Sequence, residues 1–308
     1  MKRHLSALMW LACLLPPASL CSQERHEELL QQVPLPTGYL TEMVRIPAGS
    51  FPRGAEGEEF DEQPVRMIFL DEYLIDKYEV TAGQWGQYQE DTGVMIPEWT
   101  LQSSPKRRVH PIAFVTWYDA AGFCEWAGKR LPSEAEWERA ARCDDGRKYP
   151  WGDGLDDHRA NFFQSEDPFE AGIGTILQTT PVGFFDGSNR DGYQTRSGAS
   201  PFGAQDMVGN VWEWTNDWYH SAYFTDSPDR NPLGPEMGVV KSVRGGSYAV
   251  DASHVRPTYR ARDDPKLRGP EVGFRCAASL PMTAVQPSSW ADVKVPGSVD
   301  AVQDRRER

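Results

Sequence analysis

The most chemically specific stretch of the chain places acids and tryptophans around a glycine. It is the run Gly203-Ala204-Gln205-Asp206-Met207-Val208-Gly209-Asn210-Val211-Trp212-Glu213-Trp214. Carboxylates among large apolar rings need partners, because an unpaired buried charge is costly. Asp206 and Glu213 could supply carboxylate oxygens, and the carbonyls of Gly209 and Val211 could turn inward. Oxygen ligands of this mixed kind suit Ca²⁺. A capped turn, whose acids accept backbone N–H bonds, is the alternative that the spacing leaves open.

Four motifs in order carry a family resemblance. They are Arg130-Leu131-Pro132-Ser133-Glu134-Ala135-Glu136-Trp137-Glu138, Gly209-Asn210-Val211-Trp212-Glu213-Trp214, Arg244-Gly245-Gly246-Ser247 and Gly273-Phe274-Arg275-Cys276. Over roughly residues 40–278 the chain resembles the formylglycine-generating enzyme, or sulfatase-modifying factor, family. The resemblance implies an α+β domain, a variant of the C-type-lectin-like fold with short mixed strands, few helices and many loops.

The resemblance also implies calcium as a structural cofactor. Relatives hold one calcium ion with residues that match Asp206, Gly209, Val211 and Glu213 position by position. Asn161 matches a ligand of another calcium site, but Gly174 or a neighbour stands where that site has an Asp. We therefore expect the calcium site at Asp206 and Glu213 to be retained and the site at Asn161 to be incomplete.

The chemistry of formylglycine formation needs two thiolates, because soft Cu(I) prefers sulfur ligands. In relatives these cysteines lie three and eight residues after the serine of the Gly-Gly-Ser motif. Counting from Ser247 leads to Val250 and Val255, neither of which can bind a metal. We therefore expect no copper-thiolate oxidase activity, and the identity of any other redox metal stays open.

Other polar residues occupy the segment where the cysteines are expected. Ser247 is retained, Asp251, His254 and Arg256 follow it, and Glu271 precedes the Gly-Phe-Arg-Cys motif where the family's groove continues. An Asp, a His and a Glu at one groove could transfer protons, with His closest to neutral pKa. They could also bind a metal such as iron. The alternative is that Asp251 pairs with a nearby arginine on a loop and His254 is solvated.

Composition limits the class of protein. The 308 residues are 39% apolar and include 11 Trp, 24 Pro and 27 Gly, which favours one loop-rich domain. The net charge of −13 argues against a nucleic-acid partner, because phosphate binding needs clustered Lys and Arg. The run Lys106-Arg107-Arg108 is predicted to be a solvated loop. We expect a monomer.

The N-terminus predicts export. Basic residues at the start are followed by an apolar run from Leu5 to Leu15, which is too short to span a membrane comfortably. Cleavage near Cys21 and a lipid anchor on its thiol both remain open. We predict an export signal over residues 1–21, a polar tether over 22–38, the folded domain over 39–280 and a disordered tail over 281–308.

An exported chain is expected to pair its cysteines. Cys124, Cys143 and Cys276 remain beyond the predicted signal. The resemblance implies a disulfide between Cys124 and Cys276, which would close a loop of about 150 residues and stabilise the fold by roughly 4–5 kcal/mol. It also implies that Cys143 is free.

Local patterns predict the elements that position these residues. Two capping boxes predict helices that start after Thr81 and Ser133, the first ending at Gly93 and the second near Arg142. A further helix is predicted over 119–127. Short strands are predicted at residues 43–51, 65–69, 73–77, 111–115 and 239–248.

Two classes of function are consistent with these observations. In the first, the protein is an accessory maturation enzyme, of an oxidoreductase type, that acts in the cell envelope on a peptide-like or small-molecule substrate. It is then similar to relatives of the pyoverdine-maturation type, or to those that assemble periplasmic redox proteins. In the second, the protein is a non-catalytic lectin-like module that binds a peptide or glycan. Formylglycine generation is the function that the sequence favours least.

Overall fold

The computed structural model describes residues 29–171, 176–190 and 192–280. Its strands are β1 (Leu30–Pro34), β2 (Leu40–Ile46), β3 (Gly49–Arg53), β4 (Arg66–Leu70), β5 (Tyr73–Asp76), β6 (Asn189–Arg190), β7 (Tyr193–Gln194), β8 (Trp212–Trp218), β9 (Lys241–Arg244), β10 (Ala261–Asp263), β11 (Val272–Gly273) and β12 (Ala277–Ser279). Its helices are α1 (Ala82–Thr92), α2 (Trp99–Gln102), α3 (Trp117–Trp126), α4 (Glu134–Arg142) and α5 (Tyr223–Asp226). Short 3₁₀ turns cover Phe60–Glu62 and Pro105–Arg107.

Two four-stranded sheets organise these elements, with strand orders β1-β2-β5-β12 and β10-β9-β8-β11. Strand β8 lies inside the second sheet, antiparallel to β9 and parallel to β11. Glu213 of β8 stands opposite Arg244 of β9 on one side and Gly273 of β11 on the other. Three of the four motifs found in the sequence are therefore neighbours in one sheet.

The folded part begins earlier than the sequence predicted. Strand β1 lies inside the predicted tether and pairs with β2 from Leu30 opposite Val44 to Pro34 opposite Leu40. Val33 of this strand is buried. β1 forms a hairpin with the next strand, and the polar composition of the segment does not reveal this pairing, which explains the wrong boundary. The predicted signal and tail lie outside the described residues. Within the described residues, no helix is both long and apolar enough to cross a membrane.

Side-chain caps determine where the main helices start. Thr81 and Ser133 each form both bonds of a capping box, and Gly93 ends α1 with φ at 76°. Helix α3 begins at Trp117, slightly before the predicted start, because Thr116 and the third residue of the helix form another capping box. The predictions for α1 and α4 are confirmed.

The predicted strand at residues 111–115 is wrong. The segment is buried, but its N–H groups are bound by three different parts of the fold rather than by a neighbouring strand. Ala113 donates to the side chain of Gln102 at 2.8 Å, whereas Phe114, with φ at 56°, donates to the carbonyl of Gly269 at 2.9 Å. Apolar composition predicted the burial correctly and the regular pairing incorrectly.

A disulfide joins Cys124 of α3 to Cys276 next to β12, with Cα atoms 5.6 Å apart and 152 residues between them in sequence. It lies in an apolar cluster that also holds Trp85, Phe123 and Phe274. This pairing confirms the prediction. Cys143 is disulfide-bonded as well, so the predicted free thiol is wrong.

Helix α4 is buried along its whole length although it carries several charges. Arg244 of β9 donates to Glu138 at 2.7 Å, and Arg260 donates to Glu134 at 2.8 Å. Glu138 also accepts from Arg142 at 2.8 Å. Buried ions of this kind are tolerated only when they are paired and hydrogen-bonded. The helix is therefore held to the second sheet by charge as well as by its apolar face.

Candidate functional site

Glu213, a predicted calcium ligand, is bound by protein side chains. Arg275 donates to its two oxygens at 2.6 and 2.7 Å, and the indole N–H of Trp137 donates at 2.8 Å. All three residues are fully buried. The bidentate guanidinium neutralises the carboxylate and orients it, so a cation would have to share Glu213 with Arg275.

The other predicted ligands lie close by in the turn before β8. The carboxylate of Asp206 accepts from the N–H of Gly183 at 2.6 Å, and burial raises the pKa of Asp206 to about 6. At Gly209 a Cβ atom would lie 2.0 Å from the carbonyl oxygen of Asn161, so only glycine fits there. Val211 is fully buried.

Glu79 is a buried acid that the sequence did not single out. One of its oxygens accepts from Asn210 at 3.0 Å, and the other has no hydrogen-bond partner among the described residues. Burial, with the nearby charges of Asp206 and Glu213, raises the pKa of Glu79 well above its ordinary value. Three acids therefore surround the single guanidinium of Arg275. The only signal in the sequence is an acid between an apolar strand and a helix cap.

The oxygen chemistry of these residues fits a hard cation, and the unpartnered oxygen of Glu79 is consistent with one. In the described residues, however, no group of three or more His, Cys, Asp or Glu side chains is placed to hold a metal ion. The predicted set uses two carboxylates and two carbonyls, and it remains a prediction. Asn161, predicted for the other calcium site, is buried and donates to the carbonyl of Gln178 at 2.9 Å. Gly174 lies outside the described residues.

Hydrocarbon occupies the two positions where relatives carry thiolates. Val255 is fully buried in an apolar cluster with Tyr149, Phe162 and Val208. Val250 is half-buried and packs against the same cluster. The space around these positions is therefore filled by side chains that cannot bind copper.

Asp251 and His254 form a hydrogen-bonded pair between the two valines. The Nδ1 atom of His254 lies 2.9 Å from an oxygen of Asp251 and 2.9 Å from the hydroxyl of Ser253. The His254 ring meets the ring of Tyr259 edge-on at 5.0 Å. Bonds from Ser253 and His254 lower the pKa of Asp251 to about 2. The ionised carboxylate orients the imidazole and leaves Nε2 available for a ligand.

Glu271 lies apart from this pair. It is half-buried, burial raises its pKa, and its carboxylate makes no hydrogen bond or ion pair with another side chain of the described chain. Its main chain is fixed, because its carbonyl accepts from the N–H of Trp212 at 2.8 Å. The structure thus brings Asp251 and His254 into contact. Glu271 lies elsewhere, just before the Gly-Phe-Arg-Cys motif.

Ser247 and Arg256 hold the loop rather than face solvent. Ser247 is fully buried, and its hydroxyl accepts from the N–H of Ala249 at 3.2 Å. Arg256 is also buried, donates to Glu62 at 2.6 Å and hydrogen-bonds the carbonyl of Ser253. Both side chains therefore position the segment that carries Asp251 and His254.

A groove lies on another part of the surface. It encloses about 470 Å³ between β2, β5 and α1, and its wall includes Tyr39, Glu42, Tyr78 and Gln84. None of the predicted catalytic residues lines it. We place the candidate site at the 247–256 segment and Glu271, where the titratable groups are, because size alone identifies no chemistry.

Comparisons with known proteins agree with this architecture. The sulfatase-modifying factor enzyme 1-like domain matches residues 30–280. The formylglycine-generating enzyme of Thermomonospora curvata is 32% identical over 293 residues, which cover 77% of this chain and 93% of that protein. The serine/threonine-protein kinase pkn1 of Chlamydia pneumoniae is 33% identical over 276 residues, which cover 83% of this chain and 41% of that protein.

The structure of PvdO from Pseudomonas aeruginosa is also similar, with a TM-score of 0.60 and 28% identity over 78% of this chain and 95% of that one. The match to pkn1 covers 41% of that protein, so this chain spans less than half of its length. The expected α+β variant of the C-type-lectin-like fold is confirmed. The chain therefore belongs to the formylglycine-generating enzyme, or sulfatase-modifying factor, family.

Proposed function

We propose that this protein is an exported accessory maturation enzyme that acts on a peptide-like substrate without copper-thiolate chemistry. The observation that carries the proposal is the exchange in the 247–255 loop. Valines stand at both positions where the family's thiolates are expected, and between them lies the Asp251–His254 pair. The loop has thus exchanged soft metal ligands for a proton-transfer pair.

The geometry supports general acid–base work. Asp251 fixes Nδ1 of His254, so Nε2 can take a proton from a substrate group. Glu271 is half-buried with a raised pKa, which favours its protonated form near neutral pH more than for a solvated Glu. An imidazole and a carboxyl group on separate segments suit a step in which one removes a proton from the substrate and the other delivers one.

Export is supported by the covalent structure. The buried disulfide between Cys124 and Cys276 is typical of a protein that matures in an oxidising compartment. The predicted signal over residues 1–21 would deliver the chain there, with a lipid anchor at Cys21 as one form of attachment. A structural calcium ion at Asp206 and Glu213 belongs to the same proposal.

A binding module without catalysis is the second candidate. It is favoured by the lack of contact between Glu271 and the Asp251–His254 pair, which is itself exposed, with 40% of the His254 side chain accessible. Half-exposed aromatic rings such as Tyr259 and Trp151 could then bind a peptide or glycan by stacking.

Product analysis in the native host decides between the candidates. Glu271→Gln and His254→Gln should each lower the yield of matured product by about 10²–10⁴-fold, the usual contribution of a general acid or base. Glu236→Gln, at an exposed acid, is the matched control. Normal product from both site variants would favour the binding module. If the purified protein converts the thiol of a sulfatase-derived peptide to an aldehyde, its function is formylglycine generation instead.

A further inference from the structure

Arg107 carries a positive charge that no acid of the described chain neutralises. The residue ends the 3₁₀ turn Pro105–Arg107 and is half-buried, whereas its neighbours Lys106 and Arg108 are exposed, as the sequence predicted. Its guanidinium donates to the carbonyl of Leu177 at 3.0 Å and to the hydroxyl of Thr179 at 2.7 Å. Its Nε atom is buried and has no hydrogen-bond partner within the part of the chain that the structure describes. Burial accordingly lowers the pKa of Arg107.

Other buried cations without a direct carboxylate partner are stabilised differently. The guanidinium of Arg53 lies 3.6 Å from the centre of the Phe224 ring. The ammonium of Lys241 lies 3.9 Å from the centre of the Trp117 ring, with a second tryptophan on its other side. These contacts are cation–π interactions. Arg107 has no such ring contact among the described residues, so its charge lacks both kinds of compensation.

Tyr248 lies between Arg107 and Glu271. Its hydroxyl accepts from the N–H of Leu177 at 3.1 Å and donates to the carbonyl of Pro270, which precedes Glu271, at 3.4 Å. Burial raises the pKa of Tyr248, the charge of Glu271 raises it further, and the charge of Arg107 lowers it. One buried phenol therefore separates an uncompensated cation from an uncompensated carboxylate.

His110 lies near Arg107 but adds no positive charge there. Its Nδ1 atom lies 3.1 Å from the hydroxyl of Thr179, and burial, with the nearby charge of Arg107, lowers the pKa of His110 to about 4. The imidazole is therefore neutral at physiological pH. Arg107 is left as the group that would attract an anion.

We propose that Arg107 binds a free carboxylate of the substrate, on the side of Tyr248 that faces away from Glu271. The inference rests on the proposed function, because it assigns the substrate class of the same site. A guanidinium presents a planar fork of N–H donors that matches a carboxylate, and such charge-assisted bonds are stronger than neutral ones. The substrate class is then a peptide-like molecule with a free acid, rather than one capped as an amide.

A purely structural role for Arg107 would look different in experiment. In that case its bonds to Leu177 and Thr179 only tie residues 176–180 to the turn at 105–107. Arg107→Gln keeps hydrogen-bond donors and removes the charge, so a structural role predicts little change in ligand preference. Arg108→Gln is the matched control, because Arg108 belongs to the same basic run and its side chain is exposed.

The test compares N-acetylphenylalanine with its amide, using the full chain and titration calorimetry or NMR. The wild-type protein should bind the acid on the order of tenfold more tightly than the amide, as expected for one charged hydrogen-bonded contact. Arg107→Gln should lose this preference, whereas Arg108→Gln and Glu271→Gln should keep it. A wild-type protein that binds neither compound or prefers neither, or an Arg107→Gln variant with the wild-type preference, overturns the inference.

The outcome is separable from that of the proposed function. If Glu271→Gln yields normal product while Arg107→Gln loses the preference for the acid, the catalytic proposal fails and the carboxylate site stands. If Glu271→Gln abolishes product while Arg107→Gln keeps the preference, the reverse holds.

Discussion

Two neighbouring regions of this molecule differ in where their charged side chains lie: one buries them and the other exposes them. In the charge framework, formed by Glu134, Glu138, Glu213, Arg244 and Arg275, every side chain is buried and every carboxylate has an arginine partner. In the 247–255 loop, the carboxylate of Asp251 is exposed, and the buried residues Ser247, Tyr248 and Val255 carry no charge. The framework is tied to both sheets and tolerates few changes, because each ion needs its partner.

The loop, by contrast, can change its chemistry while the fold persists. Its ends are fixed by the buried Ser247 and Val255, and its middle is exposed. Val250 and Val255 add apolar contacts in this loop and take no partner from the framework. Fold membership and the chemistry of the site are therefore separate properties in this chain.

Loss of an arginine from the charge framework should produce the largest effect. Arg275→Met leaves Glu213 buried without its bidentate partner, and we expect about 3–5 kcal/mol less stability in urea unfolding. Arg45→Met is the control, because its ion pair with Glu72 is largely exposed and should be worth at most about 1 kcal/mol. Equal losses in the two variants would contradict the distinction between the regions.

The buried Asp217 should give the framework a characteristic pH dependence. Burial raises the pKa of Asp217 to about 7, and the neighbouring charge of Glu134 adds to this effect. The unfolded chain ionises near its ordinary pKa of 3.8, so folding becomes less favourable as pH rises from about 4 to about 7. Asp217→Asn lacks this group and should gain stability relative to the wild type by up to a few kcal/mol over that window.

Urea unfolding of both proteins at several pH values measures this difference. Below about pH 4 the Asp is neutral in both states and the difference should be constant. A difference that stays flat up to pH 8 would show that Asp217 is ionised in the fold.

Calcium binding tests whether the acids around Arg275 carry more negative charge than its single guanidinium neutralises. If a cation binds at Asp206 and Glu213, the wild-type protein should gain about 2.7 kcal/mol at a calcium concentration 100 times the Kd. A chelator should remove that gain, and Asp206→Asn and Glu213→Gln should both abolish the response. The melting temperature with and without chelator is the measurement. An unresponsive wild type would mean that the guanidinium of Arg275 stabilises the surrounding acids without a metal ion.

Features with local causes were predictable from the sequence. The capping boxes at Thr81 and Ser133 depend on residues three apart, so the starts of α1 and α4 follow directly. The resemblance identified the disulfide pair across 152 residues, which no local pattern could. Strand β1 was missed because its polar residues hide a hairpin with β2, and the segment at 111–115 was mispredicted because distant groups bind its N–H groups.

The candidate site was predictable only in part, for a related reason. The types and positions of Asp251 and His254 made both candidates for proton transfer, and a three-residue spacing allows the contact that the structure shows between them. Glu79 and Arg107 became visible only in the fold. What distinguishes them is a buried polar atom without a hydrogen-bond partner among the described residues, which depends on side chains that are remote in sequence. Such residues have no local signature.

The smallest expected effect lies in the loop and has the opposite sign to that of Asp217. Bonds from Ser253 and His254 hold the pKa of Asp251 at about 2, below its ordinary value of 3.8. Asp251 therefore stabilises the fold above about pH 4, and this contribution disappears as the pH falls towards 2. Because the pair is exposed and screened by solvent, Asp251→Asn should lower stability at neutral pH by less than about 1 kcal/mol. Acid unfolding of the two proteins measures the difference, which should narrow below pH 4. A loss of several kcal/mol would place Asp251 in the framework and remove the contrast between the two regions.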